Sequence, residues 1–147
     1  MVMKKQLQVK LKRLCVSARL PIKGTSGSAY YDLYAAEDAF IIGGRVKLVT
    51  TGWNIEVPEG YFLDIRPRSG LAAKGITINN SPGTVDADYR GELKIIVINL
   101  SGKAYKIAKG DRIAQCALMP VLESDFIEVA KLSSSDRGTG GYGSTGR

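Results

Sequence analysis

Apolar and polar residues in this chain follow a period of two far more often than a helical period. Leu7, Val9 and Leu11 alternate with Gln8, Lys10 and Lys12, as expected of a strand with one face in water. Residues 5–14 as a whole read this way. β-prone runs then recur over Tyr30–Ala35, Ala39–Ile42, Arg45–Thr51, Trp53–Val57, Tyr61–Arg66, Ile76–Ile78, Leu93–Leu100, Tyr105–Ala108 and Ile113–Val121. Most end on turn residues such as Gly43-Gly44, Pro58-Glu59-Gly60, Ser101-Gly102 and Lys109-Gly110-Asp111. A last run, Phe126–Ala130, is predicted to close the core. Only Ser69–Lys74 reads as helix, for one or two turns. Many short strands at close spacing predict an all-β sandwich or jelly roll rather than βαβ units.

The pattern stops after Leu132. Ser133–Ser135 and the segment RGTGGYGSTGR hold almost no core-forming side chains, so this stretch alone does not offset its ordering entropy. The expected organisation is a β domain over 1–132 and a flexible glycine-rich arm over 133–147. A chain of 147 residues with 44% hydrophobic and 24% charged residues is large enough to bury a core without disulfides or a structural metal. No apolar run reaches membrane-span length, and the basic start lacks the apolar stretch of a secretory signal. A cytoplasmic protein without a membrane partner is expected. The net charge of +7 suits a polyanionic ligand. The basic residues of the first strand read as a solvated face, and no nucleic-acid-binding motif accompanies them, so no specific nucleic-acid binding is expected.

Histidine is absent, which excludes a Ser-His-Asp triad and any His-based metal site. Cys15 and Cys116 stand in apolar, strand-like text without a CxxC and read as reduced core residues. Chemistry here falls to carboxylates, Arg, Lys, Tyr, backbone amides or a metal carried by the substrate.

Four clusters carry such groups. The glycines at 138, 140, 141, 143 and 146 let backbone amides converge on an anion, with Arg137, Tyr142, Ser144 and Thr145 among them. The spacing echoes a Walker A loop but lacks its lysine and preceding strand, which excludes a P-loop NTPase. Pro67-Arg68-Ser69-Gly70 joins a strand to a helical turn, where Ser69 serves either as an N-cap or, with Arg68, as an anion contact. Asn80 to Glu92 packs a Pro-Gly turn, three acids, Tyr89 and Arg90 into one connection. If extended, Asp86 and Asp88 share a face, one free to activate water and the other paired with Arg90. Finally, Gly110-Asp111-Arg112-Ile113-Ala114-Gln115 opens a strand in which Gln115 needs a polar partner and is expected to hold a neighbouring loop.

In order, SAYYDLYA around Asp32, PRSGLAAKGI from Pro67, NSPGTVDADYRGEL from Asn80, GDRIAQ from Gly110 and RGTGGYGSTG from Arg137 resemble the trimeric dUTPase family across nearly the whole chain. The resemblance implies a distorted jelly roll, or β-clip barrel, in a homotrimer with active sites at subunit interfaces. It implies hydrolysis of dUTP to dUMP and pyrophosphate, which supplies dUMP for thymidylate synthesis and keeps uracil out of DNA. By that likeness Asp86 activates the water attacking the α-phosphorus, and Tyr89 packs on the deoxyribose. Asn80, with backbone groups near Thr84, Val85 and Asp86 and with Lys94, reads uracil. Arg68, Ser69, Gly70 and Gln115 contact the phosphates. Arg137 grips the terminal phosphate, Tyr142 stacks over uracil, and Gly143, Ser144 and Thr145 wrap the γ end. Mg²⁺ rides on the triphosphate, with Asp32 reaching it through water.

Two departures stand out. The first motif usually carries glycine where Tyr30 stands, and the Lys74-Gly75 stretch is one residue shorter than in many members. The rival of the same fold is a dCTP deaminase or a bifunctional deaminase–dUTPase. It requires a Glu in the strand after the third motif, and Leu93–Leu100 contains no acid.

Overall fold

The computed structural model describes residues 7–144 and 146. Among the described residues, ten strands and one short helix occur in the order β1 (Lys10–Arg13), β2 (Tyr31–Tyr34), β3 (Ala39–Ile41), β4 (Val46–Glu56), β5 (Tyr61–Arg66), α1 (Ser69–Ala72), β6 (Ile76–Ile78), β7 (Gly83–Val85), β8 (Glu92–Asn99), β9 (Tyr105–Ile107) and β10 (Arg112–Pro120). Two four-stranded sheets, ordered β1-β4-β8-β6 and β2-β10-β5-β7, and a β3-β9 ribbon make up the fold. Every pairing is antiparallel. The all-β expectation holds.

Alternation explains the layers. In β8, Leu93, Ile95, Val97 and Asn99 are buried, while Lys94 is exposed and Ile96 and Ile98 are half-buried on the opposite face. The inner row packs with Leu33, Ile41, Val49, Ile55, Leu63, Ile65, Ile76, Ile107 and Ile113 in one core. Each such aliphatic side chain contributes roughly 1.5–3 kcal/mol on full burial. The buried amide of Asn99 donates to the carbonyls of Ile41 and Lys103 and accepts from Ser101, tying β8 to β3 and to the turn before β9.

Four details correct the sequence reading. Residues 45–57 form one strand rather than two. Gly52, at φ +76°, makes a bulge where Thr50 pairs with Lys94 and Asn54 with Glu92. A Cβ at Gly52 would stand 2.6 Å from the Cys15 sulfur and 2.8 Å from the Ala18 Cβ, so only glycine allows this crossing. Phe126–Ala130 is not a strand and closes no core. Phe126 is 99% exposed and Ile127 79%, because no strand of the same chain lies beside them. Cys15 is exposed and only Cys116 is a core residue; burial pushes the Cys116 thiol up to about 12. Finally, β8 starts at Glu92, so the strand after the third motif does contain an acid.

Candidate active site

Apart from Asp86, which lines neither, the predicted site residues among the described ones fall into two cavities and an arm. The first cavity, about 490 Å³, is lined by Ile65, Asn80, Gly83, Thr84, Val85, Tyr89, Glu92 and Lys94 among others. Its wall is the short strand β7, absent from the sequence reading because Gly83-Thr84-Val85 resembles turn text. A Cβ at Gly83 would stand 3.2 Å from the Ile65 Cβ and 3.4 Å from Asn80 Nδ2. Glycine thus lets β7 close on β5 with the Asn80 amide against it. Tyr89 folds back over Gly91, where any Cβ would collide with the phenol ring. Its hydroxyl donates to the Glu92 carbonyl at 2.9 Å. The Glu92 carboxylate accepts from the Thr50 hydroxyl and the Gly52 amide and lies 3.5 Å from Lys94 Nζ. It therefore fastens the hairpin to the β4 bulge, a role not legible from the sequence around it.

Asp86 follows β7 directly and is exposed. Its carboxylate makes no hydrogen bond or ion pair among the described residues. Residues 86–89 form a turn closed by the Tyr89 amide on the Asp86 carbonyl, not the extended segment that would align Asp86 with Asp88. Arg90 donates to the carbonyls of Ala87 and Tyr89 and stands 4.0 Å from Glu56 rather than pairing with Asp88. Backbone acceptors one and three residues away are simply nearer.

The second cavity, about 370 Å³, is a polar cradle lined by Gly24, Ser28, Ala29, Tyr30, Asp32, Arg68, Ser69, Gly70, Arg112 and Gln115. Asp32 organises it. Arg68 Nε donates to Oδ1 at 3.0 Å, and Arg112 stands 3.7 Å from Oδ2. Gln115 is in register with Asp32 on one side and Arg66 on the other, and its amide donates to the Pro67 carbonyl at 2.8 Å. Gln115 does hold the neighbouring loop. Arg68, not Ser69, occupies the N-cap of α1 and makes no side-chain cap bond. Ser69 lines the cradle and is the first helical residue rather than the cap, and α1 stops at Ala72, short of the predicted Lys74. Ser28, Tyr30 and Arg112 also line the cradle; they stand within the motifs SAYYDLYA and GDRIAQ but had been given no site role.

Arg137, Tyr142, Gly143 and Ser144 lie on the arm, whose residues 133–144 bond only within the arm among the described residues. Tyr142 is wholly exposed at φ 52°. Thr145 lies outside the described residues.

The first cavity meets β5 at Ile65, whereas Asp86 and the cradle lie toward opposite ends of that strand. Val85 pairs with Leu63 and Gly83 with Ile65, so Asp86 is level with the start of β5 while the cradle segment begins beyond Arg66. At about 3.4 Å per residue, roughly 14 Å of strand separates them.

A family model described as dUTPase matches residues 17–146. This chain belongs to the dUTPase family. It is 48% identical over 142 residues to the deoxyuridine 5'-triphosphate nucleotidohydrolase of Nautilia profundicola, covering 96% of this chain and 100% of that one. It is 50% identical to the corresponding protein of Hydrogenobaculum sp., covering 95% and 99%. Among solved structures, the dUTPase of Staphylococcus bacteriophage 80alpha with dUpNHpp superposes with a TM-score of 0.85 at 27% identity, covering 95% of this chain and 99% of that chain. The fold and the order of the motifs are those of the dUTPase family.

Proposed function

We propose that the chain hydrolyses dUTP to dUMP and pyrophosphate at a site assembled from the hairpin cavity of one copy, the cradle of a second and an arm. The observation that carries this reading is the hairpin cavity itself. It is a glycine-tightened slot with an amide at its wall and a tyrosine folded over its rim, beside an exposed carboxylate without a partner.

In this reading Asn80 and the backbone of Thr84, Val85 and Asp86 hydrogen-bond the uracil edge, with Lys94 at the mouth. The closeness of β7 to β5 excludes a 5-methyl group. Tyr89 packs on the deoxyribose. Asp86 takes a proton from the water that attacks the α-phosphorus, the role left to a carboxylate in a chain without histidine. Arg68, Ser69, Gly70 and Gln115 bind the phosphate chain, and Arg137, Tyr142, Gly143, Ser144 and Thr145 close over it. Phosphoryl transfer needs positioning and charge neutralisation more than a covalent nucleophile, and this set supplies both.

Magnesium enters as part of the substrate, Mg-dUTP. Among the described residues no group of three acidic, Cys or His side chains could hold an ion. Both oxygens of Asp32 face arginines, which suits contact with a triphosphate-borne ion through water rather than direct ligation.

Association as a homotrimer is supported by three features. Asp86 and the cradle lie toward opposite ends of β5. On the outer face of β4 and β8, Leu48 opposes Ile96 and Val46 opposes Ile98, and Val46, Leu48, Ile42 and Leu100 are exposed apolar residues of the kind an interface covers. Beyond β10, Leu122, Phe126, Ile127 and Leu132 are exposed along an extended segment, which a neighbouring copy would cover. The domain over 1–132 is the catalytic body and residues 133–147 the arm. No described helix is long and apolar enough to cross a membrane; the proposed setting is the cytoplasm, where dUMP feeds thymidylate synthesis and dUTP is kept from DNA.

The deaminase alternative is not favoured. Glu92 is the one acid of β8, and its carboxylate is committed to Thr50, Gly52 and Lys94. The deciding experiment follows pyrophosphate release from dUTP, dTTP, UTP and dCTP with Mg²⁺, with ammonia measured for dCTP. Turnover confined to dUTP is expected; ammonia from dCTP, or equal rates on dTTP, would overturn the assignment.

A further inference from the structure

Tyr30 belongs to none of the roles above, yet it forms part of the cradle wall beside Asp32, Arg68 and Ser69. Its hydroxyl donates to Asp64 Oδ2 at 2.8 Å, and the same oxygen accepts from Arg66 Nε at 2.7 Å. The Arg66 guanidinium carbon lies 5.7 Å from the centroid of the Tyr30 ring. Asp64 is 5% exposed, in the middle of β5. A buried carboxylate survives there only because it is paired and hydrogen-bonded.

The position of Tyr30 in the chain gives this cluster its consequence. Residues 24–29, Gly-Thr-Ser-Gly-Ser-Ala, are mostly exposed and face Arg68, Ser69 and Gly70 across the cradle. Within that loop the hydrogen bonds run between Thr25 and Ser28. On its N-terminal side the Ile22 carbonyl bonds the Asp32 amide. On its C-terminal side the side-chain tie to the sheet is Tyr30 to Asp64. A glycine-serine segment left to itself keeps its conformational freedom, and a wall that must be ordered by the ligand weakens binding.

We propose that Tyr30 is a positioning residue for the triphosphate, braced by the Asp64–Arg66 pair so that residues 24–29 stand as a preformed wall of the cradle. The proposal rests on the assignment of the cradle to the phosphates. Tyr30 touches no reacting atom; it sets how tightly the phosphate chain is held, not how fast the bond breaks.

The test uses the full-length protein and three variants, Tyr30→Phe, Asp64→Asn and the double variant. Tyr30→Phe removes one oxygen and keeps the ring. Steady-state kinetics on dUTP are combined with calorimetric titration of pyrophosphate and, separately, deoxyuridine. The expected result for Tyr30→Phe is a KM for dUTP raised about three- to tenfold with kcat within about twofold, pyrophosphate affinity lowered to match, and deoxyuridine affinity unchanged. Asp64→Asn also weakens the Arg66 pair, so it is expected to be the larger single effect, and the double variant is expected to raise KM no further, since the Tyr30–Asp64 bond is shared by both changes. An unchanged KM and pyrophosphate affinity, an equal loss for deoxyuridine, or additive effects would overturn the proposal. Failure of the wild-type protein to turn over dUTP would instead remove the functional assignment, and pyrophosphate binding would still judge the brace.

Discussion

The hairpin cavity and the cradle are built from opposite materials. The first owes its shape to backbone closeness: Gly83 against Ile65, Tyr89 folded over Gly91, and an apolar lining from β5 and β8. The second is held by charge, with Arg68 and Arg112 on Asp32 and Gln115 fixing the loop at Pro67. A slot defined by backbone separates ligands by the size of one group, whereas an ion-paired cradle accepts any anion of suitable reach and depends on salt. One chain carries both kinds of wall, with roughly 14 Å of β5 between the level of Asp86 and the start of the cradle segment.

The most severe way to separate the two is Asp86→Asn. Pyrophosphate release is expected to fall by about 10²–10⁴-fold, while calorimetry shows dUpNHpp binding within about threefold of wild type, because the cradle is untouched. Unchanged turnover would remove Asp86 as the base. Mixing provides the next test. Asp86→Asn and Arg68→Ala proteins, each inactive alone, are unfolded and refolded together. If hairpin and cradle come from different copies, about one site in four of a random trimer is intact, and activity per site recovers to that level; a mixture that stays dead would put the whole site in one chain.

Gly83→Ala probes the slot alone. The added Cβ meets Ile65 and Asn80, so a KM for dUTP raised about tenfold and a loss of roughly 1–3 kcal/mol in denaturant unfolding are expected, with pyrophosphate affinity unchanged. The smallest expected effect concerns the thiols. Iodoacetamide at pH 8 is expected to modify exposed Cys15 and spare Cys116, whose thiol is held near 12. Mass mapping of the modified peptides reads this directly, and Cys116 labelling in the native protein would mean the β2–β10 core opens.

How far each region was legible in the sequence follows from the same contrast. Alternation of Leu93, Ile95 and Val97 marked β8, and the polar clusters at Arg68 and Asn80 marked both cavities, because side-chain chemistry is written residue by residue. Strand β7 was hidden because Gly83-Thr84-Val85 has turn composition, and its pairing with Leu63, Asp64 and Ile65 is a tertiary fact. Glu92 and Asp64 were missed for a related reason: an acid beside an arginine or lysine in the text looks like solvated surface, and only the fold turns it inward. Phe126–Ala130 erred in the other direction. Its apolar content is real, but nothing in one chain lies beside it to pair with.

Strand β5 carries a consequence for how such a protein can change. Ile65 lines the hairpin cavity, and one residue further on the chain runs into the segment that carries Arg68 and Ser69 in the cradle, so in the proposed shared-site trimer the end of each β5 is a partition wall between two reaction chambers. A substitution at Ile65 is then not private to one site. Variation in this strand is filtered twice over, once for the base it helps to admit and once for the phosphates held by the neighbour.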